Sequence, residues 1–238
     1  MSQLGVKAVC IHGMWGTHRR FNTWKPVIEE YMPVKAIDYE RSKRTIRYAD
    51  CLRQVQKSIR EIKADKIVLI GHSLGGLLAQ AAEDSRIIAR GLVSPAPPGN
   101  VFNGFGFLKR IFSKAGLSSL RQIDQVVTGT VRPTNDEAQK VICNRHKALG
   151  LDFDFNNSPR LSFRVYLEVA FGIGTSVPKR GNVHAVVGSD DFLTEPHDVE
   201  KVAQLHGGTF EKVQGQDHLS ILQDTGVARR LMEKMLEK

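Results

Sequence analysis

The stretch KIVLIGHSLGGLLAQ, residues 66–80, limits the possible folds more than any other part of the chain. Ile67, Val68, Leu69 and Ile70 form an unbroken β-favouring block, the pattern of a strand covered on both faces. The following LLAQAAED, residues 77–84, consists mostly of strong helix formers. A doubly buried strand that runs straight into a helix belongs in a parallel sheet with helices packed on each face. Only a tight turn can join the two. That turn holds Ser73, with Gly71 two residues before it and Gly75 two after.

The rest of the chain keeps the alternation. KAVCI (7–11), KAIDY (35–39), IARGLVS (88–94), NVHAVVG (182–188) and TFEKV (209–213) read as further strands. NTWKPVIEEYM (22–32) reads as a helix with Asn22 or Thr23 as N-cap and Pro26 in its first turn. Tyr48, Leu52, Val55, Ile59 and Ile62 recur at steps of four and three, which predicts an amphipathic helix over 48–63. PHDVEKVAQLHG (196–207) predicts another. Leu219, Leu222, Leu231 and Met235 line a last helix, with Gly226 as its weak point. Between Pro95 and about Arg180 lies a segment too long for one crossover. It contains NGFGFLKRIF (103–112), a helix-like TNDEAQKVICNRHKALG (134–150) capped by Thr134 or Asn135, and SPRLSFRVYLEVAFG (158–172) as a helix returning to the sheet.

Composition excludes several classes. With 238 residues, 41% hydrophobic and 25% charged, the chain can bury one substantial core. No apolar run approaches the roughly 20 residues that span a bilayer. MSQLGVKAVCIHG reads as a first strand rather than a signal peptide. Cys10, Cys51 and Cys143 are odd in number and show no CxxC, so neither a disulfide framework nor a zinc site is indicated, and a reducing cytoplasm is expected. The net charge of +9 is lopsided: residues 1–150 hold 24 Lys and Arg against 12 Asp and Glu, and the remainder holds 10 against 13. A solvated basic surface is the plain reading; an acidic carrier protein, a phosphorylated substrate or an anionic lipid surface is the sharper one. Dispersed basic residues, 7% aromatics and no recognition motif argue against nucleic acid.

The serine turn carries chemistry. In an open parallel sheet, reactive groups gather at the carboxyl ends of the strands. A tight strand-to-helix turn there exposes the Ser73 hydroxyl and strains its backbone, and side chains at 71 and 75 would collide with it. Leu74 opens the helix, so its backbone N–H can face a developing oxyanion. A serine hydroxyl needs a base, and the base needs an orienting acid. Among the eight histidines, His218 stands out. It follows TFEKV through the polar loop QGQD and precedes the last helix, on the same rim as Ser73. His72 sits inside the turn, where it cannot fold back onto its neighbour, and His184 falls mid-strand. VVGSDDFLTEP (186–196) delivers Asp190 and Asp191 to that rim, and only one of the two can point at His218.

These motifs together resemble the α/β-hydrolase family over nearly the whole chain. GHSLGG matches the family's nucleophile elbow, and HGMWGTHRRFNTW (12–24) resembles its HG-x-x-G loop with a downstream tryptophan. The resemblance implies an α/β-hydrolase fold: a mostly parallel sheet of about six strands, helices on both faces and an inserted helical cap. Residues 1–96 and 159–238 would form the core, and 97–158 the cap. It also implies a triad of Ser73, Asp191 and His218, because the family's acid usually stands three residues after the strand-ending glycine. The Met14 and Leu74 amides would form the oxyanion hole. Trp15, Phe105 and Phe107 are candidate substrate contacts, although the phenylalanines could equally form the cap's own core. The implied reaction is hydrolysis of a carboxylic ester or acyl substrate without metal or organic cofactor. Thioester cleavage, C–C hydrolysis or demethylation of an acyl group on an acidic carrier are alternatives on the same triad, with Lys109, Arg110, Lys114 and Arg121 as the carrier's basic contacts. An idle binding protein on this scaffold is disfavoured because every catalytic residue type is present.

Overall fold

The computed structural model describes residues 5–101, 129–143, 155 and 157–237. Among the described residues, eight strands occur in chain order: β1 (Val6–Ile11), β2 (Val34–Ile37), β3 (Lys66–His72), β4 (Ile87–Val93), β5 (Thr130–Val131), β6 (Leu161–Ser162), β7 (Val183–Gly188) and β8 (Thr209–Val213). Six of them form one sheet in the order β2-β1-β3-β4-β7-β8, and every neighbouring pair in it is parallel. All carboxyl ends therefore open on one edge, and the expected six-stranded parallel sheet is present.

β3 lies at the centre and is covered on both sides. Ile67 and Leu69 enter one apolar cluster, Val68 and Ile70 the other, and all four are fully buried. Seven α-helices follow one another as α1 (Lys25–Glu29), α2 (Tyr48–Arg60), α3 (Leu74–Ala81), α4 (Asn135–Val141), α5 (Phe163–Phe171), α6 (Pro196–His206) and α7 (Thr225–Leu236) among the described residues. The first cluster is completed by α2, α3, α5 and α6, and the second by α1 and α7. Burial of this kind contributes roughly 1.5–3 kcal/mol for each Leu or Ile taken fully out of water. In α2 the predicted stripe is the buried one: Tyr48, Val55 and Ile59 are buried and Leu52 is half-buried.

Several local expectations are corrected. The helix expected over 22–32 shrinks to the short α1, and a 3₁₀ turn, His18–Phe21, precedes it. Its N-cap is Trp24, without a side-chain cap, because the Thr23 hydroxyl donates instead to Gln223 Oε1 at 2.7 Å. The C-terminal segment is also two pieces, a 3₁₀ turn Ser220–Gln223 and then α7. Asp224 caps α7 by accepting the Val227 N–H at 3.1 Å, so Gly226 falls in the first turn rather than mid-helix. Ahead of α5, β6 pairs antiparallel with β5, which delays the returning helix to Phe163. Thr134 caps α4 in a reciprocal capping box with Glu137. Phe105, Phe107, the rest of NGFGFLKRIF and residues 144–150 lie outside the described residues.

Beyond the active rim, α3 ends on buried polar contacts. Arg90 donates to the Ala79 and Ala82 carbonyls, each at 3.0 Å, a cation at a helix C-terminus. His206 accepts the Arg180 N–H on Nδ1 at 3.0 Å and donates from Nε2 to Gln80 Oε1 at 3.1 Å. Accepting that bond on Nδ1 requires the neutral ring. Burial, followed by the charges of Arg90 and Arg180, brings its pKa down to about 4. A folded pKa below the unfolded one means stability that is present above about pH 6.5 and lost as pH falls toward 4. His206→Gln should therefore lose less stability than the wild type between pH 7 and 4. The expected difference is roughly 2 kcal/mol after allowance for solvent screening, read from urea midpoints. Parallel pH profiles would contradict this account.

Candidate active site

The turn after β3 is tightly specified. Ser73 adopts φ 56° and ψ −122°, a left-handed backbone that costs a non-glycine residue on the order of 1–3 kcal/mol. Hydrogen bonds hold it there: its N–H reaches Val93 O at 3.0 Å, and its carbonyl accepts from Gly76, Leu77 and Ala96. The flanking glycines leave the room that this needs. A Cβ on Gly71 would lie 2.3 Å from Gly75 O, and one on Gly75 would lie 2.0 Å from Ile11 O. Ser73 is the N-cap of α3, so Leu74 is its first residue, where an amide has no partner within the helix.

β7 and β8 bring two further groups to the rim. His218 Nδ1–H donates to Asp191 Oδ2 at 2.9 Å, and both residues are buried. Asp191 also accepts the Leu193 and Thr194 amides on Oδ1, at 3.0 and 2.9 Å, and the Thr194 hydroxyl on Oδ2 at 2.8 Å. Burial alone would raise its pKa; the charge and hydrogen bond of His218, with the Thr194 amide, outweigh that and hold it below the usual carboxylate range. The carboxylate thus stays ionised. Asp190 turns away: its Oδ1 accepts from the Ser189 hydroxyl at 2.9 Å. Gly188 permits the approach of the two loops, since a Cβ there would sit 2.1 Å from Gln216 O. Asp217 caps the loop locally, accepting the Leu219 and Ser220 amides at 3.0 and 2.7 Å.

Ser73 and His218 line one cavity, together with Gly13, Met14, Trp15 and Gly16 from the loop after β1. Gly13 crosses directly over the serine, where a Cβ would meet Ser73 Cβ at 2.9 Å and Ser73 Oγ at 3.3 Å. The Gly13 carbonyl accepts from His12 Nδ1 at 2.8 Å and from the Gly16 N–H at 3.3 Å. That fixes the peptide plane carrying the Met14 N–H. His12 Nε2 lies 3.1 Å from Asp38 Oδ1, off the line of a good hydrogen bond, and its ring stacks on Tyr39 at 4.6 Å. Trp15 donates from Nε1 to Val131 O at 3.2 Å, tying the same loop to β5.

Three contributors escaped the sequence reading. Arg41 is buried and donates to Met14 O and Gly16 O, and to Tyr39 O at 3.0 Å, so one guanidinium clamps the loop from behind. His72 faces away from its neighbour Ser73 and toward the rim histidine: its Nε2–H donates to His218 O at 2.8 Å, and the two rings lie 4.7 Å apart. Burial, then the proximity of His218, holds His72 well below its ordinary pKa and keeps it neutral. Arg20, on the 3₁₀ turn after the loop, also lines the cavity. Each is one polar residue among many, and no spacing marks it. Two further lining residues, Ile142 and Phe155, come from the segment between β4 and α5. Burial pushes the Cys51 and Cys143 thiols up to about 12 and Cys10 higher still, which leaves these thiols protonated and unreactive at neutral pH. Among the described residues, no group of three His, Cys, Asp or Glu side chains is placed to hold a metal ion, and no helix is long and apolar enough to cross a membrane.

A neutral imidazole that donates one nitrogen to a buried carboxylate can take a proton on the other. The hydroxyl on the strained turn and the pinned amide loop line the same cavity as that imidazole. The chain can be compared with known proteins on this basis. No curated protein sequence matches it. Polyneuridine aldehyde esterase superposes with a TM-score of 0.67 at 16% identity, over 96% of this chain and 98% of its own. A lipase-esterase related protein from Clostridium acetobutylicum gives 0.65 at 15% identity, over 98% and 97%. A structure from a study of carboxylesterases of the thaumarchaeon Nitrososphaera gargenis gives 0.64 at 18%, over 96% and 89%. At these identities the likenesses show a shared fold. A profile of the alpha/beta hydrolase family matches residues 8–230, from the first strand into the last helix, and the chain belongs to that family.

Proposed function

We propose that this protein is a serine hydrolase that transfers the acyl group of a carboxylic ester to water. The observation that carries the reading is the buried Asp191–His218 pair, whose histidine lines the same cavity as a serine on a left-handed turn. Ser73 Oγ attacks the ester carbonyl while His218 Nε2 takes its proton. Asp191 steadies the imidazolium through Nδ1–H. The tetrahedral oxyanion rests on the Leu74 and Met14 amides, a contribution of about 3 kcal/mol for one such donor. His218 then returns the proton to the departing alcohol. Water, deprotonated by the same imidazole, releases the acid.

The ester is favoured because esterases stand among the structural neighbours. Residues 97–158 act in this reading as a cap over residues 1–96 and 159–238, supported by Ile142 and Phe155 in the cavity wall. Trp15 forms part of the acyl pocket. The basic residues that would meet an acidic carrier, Lys109, Arg110, Lys114 and Arg121, lie outside the described residues. Three buried free thiols suit a reducing cytoplasm.

A fluorophosphonate probe should attach to the peptide containing Ser73 and to no other, as mapped by mass spectrometry. An adduct elsewhere, or none, would overturn the proposal. Ser73→Ala and His218→Ala should each lower kcat/KM on a 4-nitrophenyl ester by roughly a thousandfold or more. Asp191→Asn should be damaging and Asp190→Asn nearly silent; the opposite ranking would sink the choice of acid. Arg41→Met would leave three carbonyls without their donor and loosen the amide loop. It should cost about 3 kcal/mol of stability and roughly a hundredfold in kcat, with a smaller change in KM. Arg41→Lys, a single point charge, should recover only part of this. Full kcat in a folded Arg41→Met protein would remove Arg41 from the account.

A further inference from the structure

Thr194 meets the carboxylate of Asp191 twice. Its backbone N–H donates to Oδ1 at 2.9 Å, and its hydroxyl donates to Oδ2 at 2.8 Å. One residue thus grips both oxygens of the group. With the Leu193 amide on Oδ1 at 3.0 Å and His218 Nδ1–H on Oδ2 at 2.9 Å, each oxygen accepts from two donors. Four donors match the roughly four lone-pair sites of an ionised carboxylate. Thr194 and Asp191 are both buried, so bulk water is not at hand to replace a donor that is lost.

The two grips fix different things. Bonds to Oδ1 alone would leave the carboxylate to turn about its Cβ–Cγ bond, a torsion with a broad profile. The hydroxyl holds Oδ2, the oxygen that receives the imidazole, and so sets the plane of the group. A carboxylate can only accept, so the hydroxyl proton is committed to Oδ2. Thr194 Oγ1 therefore turns lone pairs toward His218 Nδ1, 3.5 Å away, a separation too long to compete with Oδ2 for the ring proton. Both oxygens favour the tautomer that carries its proton on Nδ1. That tautomer leaves Nε2 bare.

We propose that Thr194 is a positioning residue for the reaction: acting through Asp191, its hydroxyl fixes the carboxylate plane and the tautomer of His218, so that Nε2 stands ready for the Ser73 proton. The proposal rests on the hydrolase reading above for its chemistry, but the hold on His218 can be tested without turnover.

Thr194→Val keeps the branched shape and removes the donor. On a 4-nitrophenyl ester it should lower kcat about thirtyfold with KM within about threefold, and Thr194→Ser, which keeps the hydroxyl, should recover most of the loss. Added to Asp191→Asn, the same Thr194→Val change should alter kcat by less than about threefold, because the carboxylate through which it acts is gone. Proton NMR reads the hold directly. The His218 Nδ1–H resonance should exchange with water about tenfold or more faster in Thr194→Val than in the wild type, and at the wild-type rate in Thr194→Ser. Equal losses of kcat in the Ser and Val variants would overturn the proposal, as would a second full loss on top of Asp191→Asn. Should Thr194→Val not fold, Thr194→Ala takes its place in every comparison. Faster Nδ1–H exchange in the variant, with no esterase activity in the wild type, would keep the hold on His218 and discard the hydrolase. Unchanged exchange and unchanged kcat in an active enzyme would discard the positioning role and leave the hydrolase standing.

Discussion

Steric exclusion at the end of β3 governs the rest of the structure. For Ser73 to stand clear of the sheet, its backbone must enter the left-handed region, and the chain must double back within two residues. The space for this exists only because Gly71 and Gly75 have no side chains; a Cβ on them would come within 2.3 and 2.0 Å of backbone oxygens. The same absence lets α3 pack directly on β1, so the loop after β1 can pass over the serine at Gly13. The strain is carried by the surrounding hydrogen bonds to Val93, Gly76, Leu77 and Ala96 and by the central position of β3. A turn on an edge strand would lack that support.

Electrostatics on the rim follow a common pattern of short-range caps that fix long-range partners. Asp191 is held by the amides of Leu193 and Thr194, and His218 by the Asp217 cap and the His72 ring. Each loop is thus oriented by its own neighbours or by one adjacent side chain. The pairing across 27 residues then needs only the parallel register of β7 and β8 and the close approach at Gly188. Arg41 plays the same part for the loop after β1, with one buried cation gathering three carbonyls. A buried charge is costly, and satisfying it with backbone oxygens lets that cost hold a loop in place.

Where the sequence was misleading, a tertiary contact competed with a local signal. Thr23 is a good N-cap residue, yet its hydroxyl is taken by Gln223, 200 positions away, and α1 begins uncapped at Trp24. SPRLSFRVYLEVAFG has helical composition throughout, but Leu161 and Ser162 pair with β5 and start the helix late. At Gly226 the missed signal was itself local: Asp224, two residues earlier, offered a cap that a count of leucines does not register. The central strand β3, by contrast, was legible almost residue for residue, because a strand buried on both faces tolerates little besides branched apolar side chains.

Period and turn chemistry are local properties, and they alone determined the parallel sheet, the serine on its strand-to-helix turn and the rim on which a histidine and an acid had to lie. The choice between Asp190 and Asp191 as the partner of His218, the use of His72 and Arg41 as supports, and the entry of Arg20 into an apolar cavity were decided only by the tertiary structure. The physical reason is range. A side chain's charge and hydrogen bonds act on whatever folding places within a few ångströms, and for an arginine or a histidine nothing in the adjacent sequence states what that will be.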